Sequence, residues 1–180
     1  MNRPLSTEYA ADFQGYVDQV SESDIMQVMR SELDDLDVLL GSVPADKENF
    51  AYAEGKWTIR EVVCHLIDAE RVFGYRALCI ARGEQQSLAG FDENAYQRNS
   101  PYHRIELEEL LSEMRLVRLS NIAMFRSLDE EAWTRVGRAN DNPVSVRAIV
   151  FIMAGHVRHH IKVLKERYLT SASTADSASV

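Results

Sequence analysis

The sequence has no apolar run approaching the roughly 20 residues that a bilayer span requires, and its opening stretch, Met1 to Glu8, lacks the apolar core of an export signal. Cysteine is scarce: Cys64 and Cys79 are the only two. Both fall in one predicted helix, about 22 Å apart along its axis, too far to bridge. Reduced thiols and a missing export signal predict a cytoplasmic protein. Positive charge is also short. Twenty Lys and Arg stand against 28 Asp and Glu, for a net charge of -8 and a pI near 5.1. A surface that binds nucleic-acid phosphates needs a basic field, so a nucleic-acid partner is disfavoured, and no membrane partner is expected. There is no Gly-rich phosphate loop, no Cys-x-x-Cys and no Ser-centred nucleophile elbow. Alternating strand patterns and internal repeats are missing too.

What remains is helical. With 180 residues and 46% apolar content, the chain is long enough for one domain with a proper core. Residues 1–20 read as an N-terminal arm packing on the body, 21–169 as the bundle domain, and 170–180 as a Ser/Thr/Ala-rich disordered tail. The first predicted helix runs from about 23 to 40, with an apolar stripe of Ile25, Val28, Met29, Leu33, Leu36, Leu39 and Leu40. The second covers about 58–82 and opens on Thr58-Ile59-Arg60-Glu61, a capping box. The third covers about 105–127. The fourth runs from about 145, with Ser145 as N-cap, to 168. Residues 137–143 form a turn cluster. The polar stretch 84–104 is long for a compact domain unless it is functional or holds a short helix. Four such helices predict an all-α four-helix bundle.

The chemistry concentrates in histidine. Three of the five histidines fall in Gly155-His156-Val157-Arg158-His159-His160. On a helix, i and i+4 are stacked neighbours, so His156 and His160 can present two imidazoles to one ion. A helical wheel places His160 within the apolar arc and His156 at its edge, about 40° away, with His159 about 60° beyond. His65 flanks the apolar face of the second helix. Two histidines from one helix and one from a facing helix build an open metal site in a bundle. Glu61 and Asp68, at i-4 and i+3 from His65, share its side and are candidates to orient an imidazole or to enter the coordination shell, with His159 as a further neighbour. A lone histidine beside an apolar stripe is ordinarily a satisfied core residue, and by pattern alone the two readings stand level. Cys64 points away from His65 and reads as a packing residue. Trp57 reads as a hydrophobic staple before the cap. Glu70 needs a partner if it is buried.

Several of these segments together resemble one family. Lys56-Trp57-Thr58-Ile59-Arg60-Glu61 with Cys64-His65-Leu66-Ile67-Asp68-Ala69-Glu70 resembles the second helix of the DinB-like superfamily, and Gly155 to His160 its last-helix motif. Phe91-Asp92-Glu93-Asn94 and Leu128 to Trp133 are similar to it as well. The resemblance spans roughly residues 25–168. It implies an up-down-down-up bundle, often a homodimer, and a divalent metal held by three histidines matching His65, His156 and His160. It also implies thiol-dependent chemistry on small molecules. Members include S-transferases using low-molecular-weight thiols such as bacillithiol or mycothiol, and a mycothiol-using isomerase.

The expected function is therefore a divalent-metal protein, either a thiol S-transferase or a hydrolase. Three neutral imidazoles leave the ion its full charge and an open position. A thiol bound there becomes a thiolate, and a water is acidified toward hydroxide. Zinc or nickel is expected, with iron also compatible with imidazole. The alternatives are a non-catalytic metal-binding module and a metal-free structural dimer serving a stress response.

Overall fold

The computed structural model describes residues 1–169. The expected tail, 170–180, lies outside the described residues. Four long helices form the body: α2 (Ile25–Leu40), α3 (Ile59–Ala81), α5 (Leu107–Arg126) and α7 (Val146–Val163). Three short ones accompany them: α1 (Gln14–Val17), α4 (Glu93–Asn99) and α6 (Glu130–Thr134). Each long helix begins where the sequence offers a cap or an apolar start. Asp24 accepts from the Gln27 N–H at 3.0 Å, Ser145 from that of Ala148 at 3.1 Å, and Thr58 and Glu61 exchange the two bonds of the capping box.

Around the bundle the helices run α2, α5, α3, α7. Their contacts give the directions. Arg60 near the start of α3 meets Glu106 at the start of α5, and Glu70 farther along meets Arg118 and Asn121, so α3 and α5 run parallel. Ile25, Val28 and Met29 share one core cluster with the first half of α7, and Leu33, Leu36 and Leu40 share the other with Val157, Ile161 and Leu164, so α2 and α7 do as well. Against these pairs, α3 is antiparallel to α7, and α2 to α5. This is the up-down-down-up order. It also accounts for the long segment after α3. The chain must return the full length of a 23-residue helix, about 34 Å, before α5 can start in the same direction. That return holds α4, capped by Asp92.

The turn cluster at 137–143 proves to be a hairpin. Strands β1 (Val136–Ala139) and β2 (Asn142–Ser145) pair antiparallel across Asn140 and Asp141, both at positive φ. A two-residue loop with both residues left-handed matches the strand twist, and Asn and Asp tolerate that conformation. Four-residue strands carrying Gly137 and Pro143 are too short to show alternation. Leu88 adds to the hairpin through hydrogen bonds to Arg138 and Asn140, fastening the return segment beside it.

From Val146 to Val157 every α7 residue except Arg147 is buried. The helix is apolar nearly all round because α2, α3 and the N-terminal arm enclose it. A Cβ on Gly155 would stand 1.9 Å from the Tyr16 carbonyl oxygen, so glycine is what lets α1 lie on α7. Glu8 locks the arm from its other end, accepting from the Ser145 hydroxyl at 2.6 Å and from the Arg147 guanidinium at 2.7 Å.

Candidate metal centre

Because α3 and α7 are antiparallel, His65 meets the i, i+4 pair across the helix interface. The Nε2 atoms of His65 and His156 lie 2.9 Å apart, and those of His156 and His160 lie 3.1 Å apart. One ring nitrogen from each of the three falls within a 4.8 Å group, which no carboxylate or thiol joins among the described residues. Two ligands of a tetrahedral ion at 2.0–2.1 Å are themselves roughly 3.3 Å apart. Two of the three nitrogen pairs are thus already close to the spacing an ion would impose.

The electrostatics agree. His65 and His156 are buried and His160 half-buried. Burial draws the His65 imidazole down to about 4 and that of His160 to about 3. His156 is lowered furthest, by burial first and then by its histidine neighbours. All three are neutral at pH 7 and carry the free lone pairs that coordination needs. The buried Nδ1 of His160 has no partner. Donor type, spacing and charge state all fit a divalent ion.

The cluster lies in the wall of a pocket of about 440 Å³. Trp57 packs on His65 with ring centroids 4.8 Å apart, and its own carbonyl accepts from the Tyr168 hydroxyl at 2.7 Å. Tyr16 stands edge-on to His156 at 5.3 Å and to His159 at 5.5 Å. Phe73 lies 6.3 Å from His156. The wheel ranks His160 as deeper than His156. In the structure His156 is the more buried, because the arm covers it with Tyr16. Burial and the Glu93 carboxylate raise the Tyr16 phenol above its usual range.

Three other residues considered from sequence take separate places. The Glu61 carboxylate accepts from the Thr58 N–H at 2.7 Å, and Asp68 accepts from the Tyr102 hydroxyl at 3.0 Å. His159 is half-buried, with its ring 5.1 Å from that of His160. Cys64 is fully buried, and burial drives its thiol far up, out of the reactive range. The aromatic wall escaped sequence reading. Trp57 lies just outside α3, before the N-cap Thr58, so helical spacing does not announce its contact with His65. Nor does any spacing announce Tyr16, since only folding brings it beside His156.

Comparison with known proteins places this geometry. No curated protein matches the sequence. Among solved structures, YfiT from Bacillus subtilis, described as "a probable metal-dependent hydrolase with an unusual four-helix bundle topology", superposes with a TM-score of 0.77. The identity is 18%, over 95% of this chain and 94% of that one. A mycothiol-dependent maleylpyruvate isomerase superposes with a TM-score of 0.65 at 13% identity. That match covers 81% of this chain and 61% of the isomerase. Both likenesses are of fold. In sequence, the family model of the DinB superfamily matches residues 28–164, which include all three histidines and both helices that carry them, and the chain belongs to that superfamily.

Proposed function

We propose that this protein is a metal-dependent enzyme acting on small molecules, a low-molecular-weight-thiol S-transferase or a hydrolase, with His65, His156 and His160 as its metal ligands. The observation that carries this reading is the convergence of three neutral imidazole nitrogens in a pocket wall with no fourth ligand beside them among the described residues. A structural site is closed by four protein ligands, whereas a catalytic one keeps a position open. Zinc and nickel are the ions that suit this donor set best here. Bound there, the ion supplies an acidified thiol or water as nucleophile at neutral pH. The chain's own residues hold the imidazoles neutral by burial, and Trp57, Tyr16 and Phe73 fix their rings and keep bulk water from their faces. The structures that share the fold support the reading, since one is described as metal-dependent and the other uses mycothiol.

The same reading includes a homodimer in the cytoplasm, where Cys64 and Cys79 stay reduced. Sedimentation equilibrium measures the oligomer. The decisive experiment is metal analysis of protein purified without a histidine tag, followed by a screen of thiols against model electrophiles and esters. Wild type is expected to hold stoichiometric metal, and folded His65→Ala and His160→Ala proteins to hold none and to be inactive. Full metal content in both variants would sink the reading.

A further inference from the structure

The same pocket has a second chemical feature, three helical turns away from the histidines. Arg76 is 6% exposed and lines the pocket. Its Nη2 donates to the Ala89 carbonyl at 2.6 Å, while its Nε is buried without a partner. Among the described residues no carboxylate stands within ion-pair distance of it. Asp12 and Glu93, the acidic residues of the pocket rim, are exposed, and Glu93 acts on His65 and Tyr16. Burial accordingly lowers the Arg76 guanidinium pKa, with only the Tyr96 phenol opposing.

A guanidinium buried with no anion is costly, and folded proteins ordinarily pair it. Every other buried arginine here is paired. Arg60 meets Glu48, and Arg118 meets Glu32 and Glu70. Arg76 is instead held between two rings, its carbon 5.6 Å from the Phe73 centroid and 5.8 Å from that of Phe91. Cation–π contact orients such a group and leaves its N–H edge free for a planar anion.

We propose that Arg76 is a specificity residue that binds a carboxylate on the small molecule acted on at the metal centre, which rests on the function proposed above. The spacing sets a ruler. His65, Ala69, Phe73 and Arg76 follow one face of α3 along the pocket. His65 and Arg76 are about 16 Å apart along the axis. The Arg76 side chain leans back toward Phe73, as helical side chains lean toward the N-terminus, leaving roughly 10 Å between the guanidinium and the metal position. The substrate is then an elongated monoanion, reactive at one end and a carboxylate at the other, with an apolar middle against Phe73.

Two probes of equal length test this, 6-mercaptohexanoate and 6-mercaptohexanol, titrated calorimetrically into the zinc-loaded protein. Wild type is expected to favour the carboxylate by about tenfold or more, as for a charge-assisted bond that completes a buried ion. Arg76→Gln should bind both equally, with its affinity for the alcohol unchanged, and Arg76→Lys should keep part of the preference. A parallel titration with hexanoate and hexanol locates the carboxylate. Preference with the mercapto pair puts it on the thiol, and preference only with the plain pair puts it on the second substrate. Equal affinities in wild type for both pairs, or a preference that survives Arg76→Gln, overturns the proposal. Zinc content of the same samples reports separately on the metal centre. A zinc-free wild type defeats the metal reading alone, because the hexanoate pair still reads Arg76.

Discussion

Two of the polar clusters buried in this bundle are completed in opposite ways. In one, Arg118 donates to Glu32 at 2.8 Å and to Glu70 at 2.9 Å, Arg158 donates to Glu32 at 3.1 Å, and Asn121 to Glu70 at 2.9 Å. Burial pushes the Glu32 carboxyl up to about 7 while Arg118 and Arg158 pull against that rise. This cluster ties α2, α3, α5 and α7 together with charges of both signs. In the other, three imidazoles face one another, and among the described residues no carboxylate or thiol joins their group. In the first cluster each charge meets an opposite charge from the protein itself, so its work is architectural. The second presents ring nitrogens alone, and it opens on a pocket. The difference lies in who supplies the partner.

The comparison can be broken at several points. The largest effect is expected from Arg118→Met, which strands two buried carboxylates and should cost about 3–5 kcal/mol in urea unfolding. A cost under about 1 kcal/mol would show that the network is not architectural. Next comes metal addition. Zinc at 100 times its dissociation constant should raise wild-type stability by about 2.7 kcal/mol and leave His156→Ala unmoved. A zinc shift of equal size in both proteins would move the ion elsewhere.

Gly155→Ala should cost about 1–3 kcal/mol, because the added methyl must push the Tyr16 backbone away. Amide exchange along α1 and around His156 should speed up in that variant, whereas unchanged exchange would mean that the arm does not cover the site. The smallest effect is that of pH on the arm. Arg147 holds the Glu8 carboxyl at about 2, below its ordinary 4.5. A lowered acid contributes stability that is complete above pH 4.5 and is lost as pH falls from there toward 2. Between pH 5 and 3, wild type should therefore lose more stability than Glu8→Gln. Equal losses would remove Glu8 from the account.

The histidine cluster was unusually legible because helical period carries it. His156 and His160 are one turn apart, and His65 sits seven residues after a capping box that fixes where its helix begins. Glu70 was legible as a residue in need of a partner, and Arg118 supplies one. Trp57 reads as a staple, and the structure also packs it on His65, a contact that nothing local in the sequence announces. The hairpin after α6 was read as turns because its strands are four residues long. Arg76 had no sequence signal whatever. An arginine in mid-helix ordinarily reaches solvent, and only the return segment with Ala89 and Phe91 closes over it.

The sequence by itself determined the helices, their caps, the apolar stripes and the two histidine-bearing faces. These follow from interactions within four residues along the chain, which any isolated segment already expresses. Only the tertiary structure decided that α3 and α7 meet antiparallel at those faces, that the N-terminal arm lies across Gly155 and covers His156, and that Arg76 is enclosed without an anion. Each of those depends on which surfaces exclude water together, and burial of that kind is a property of the assembled bundle.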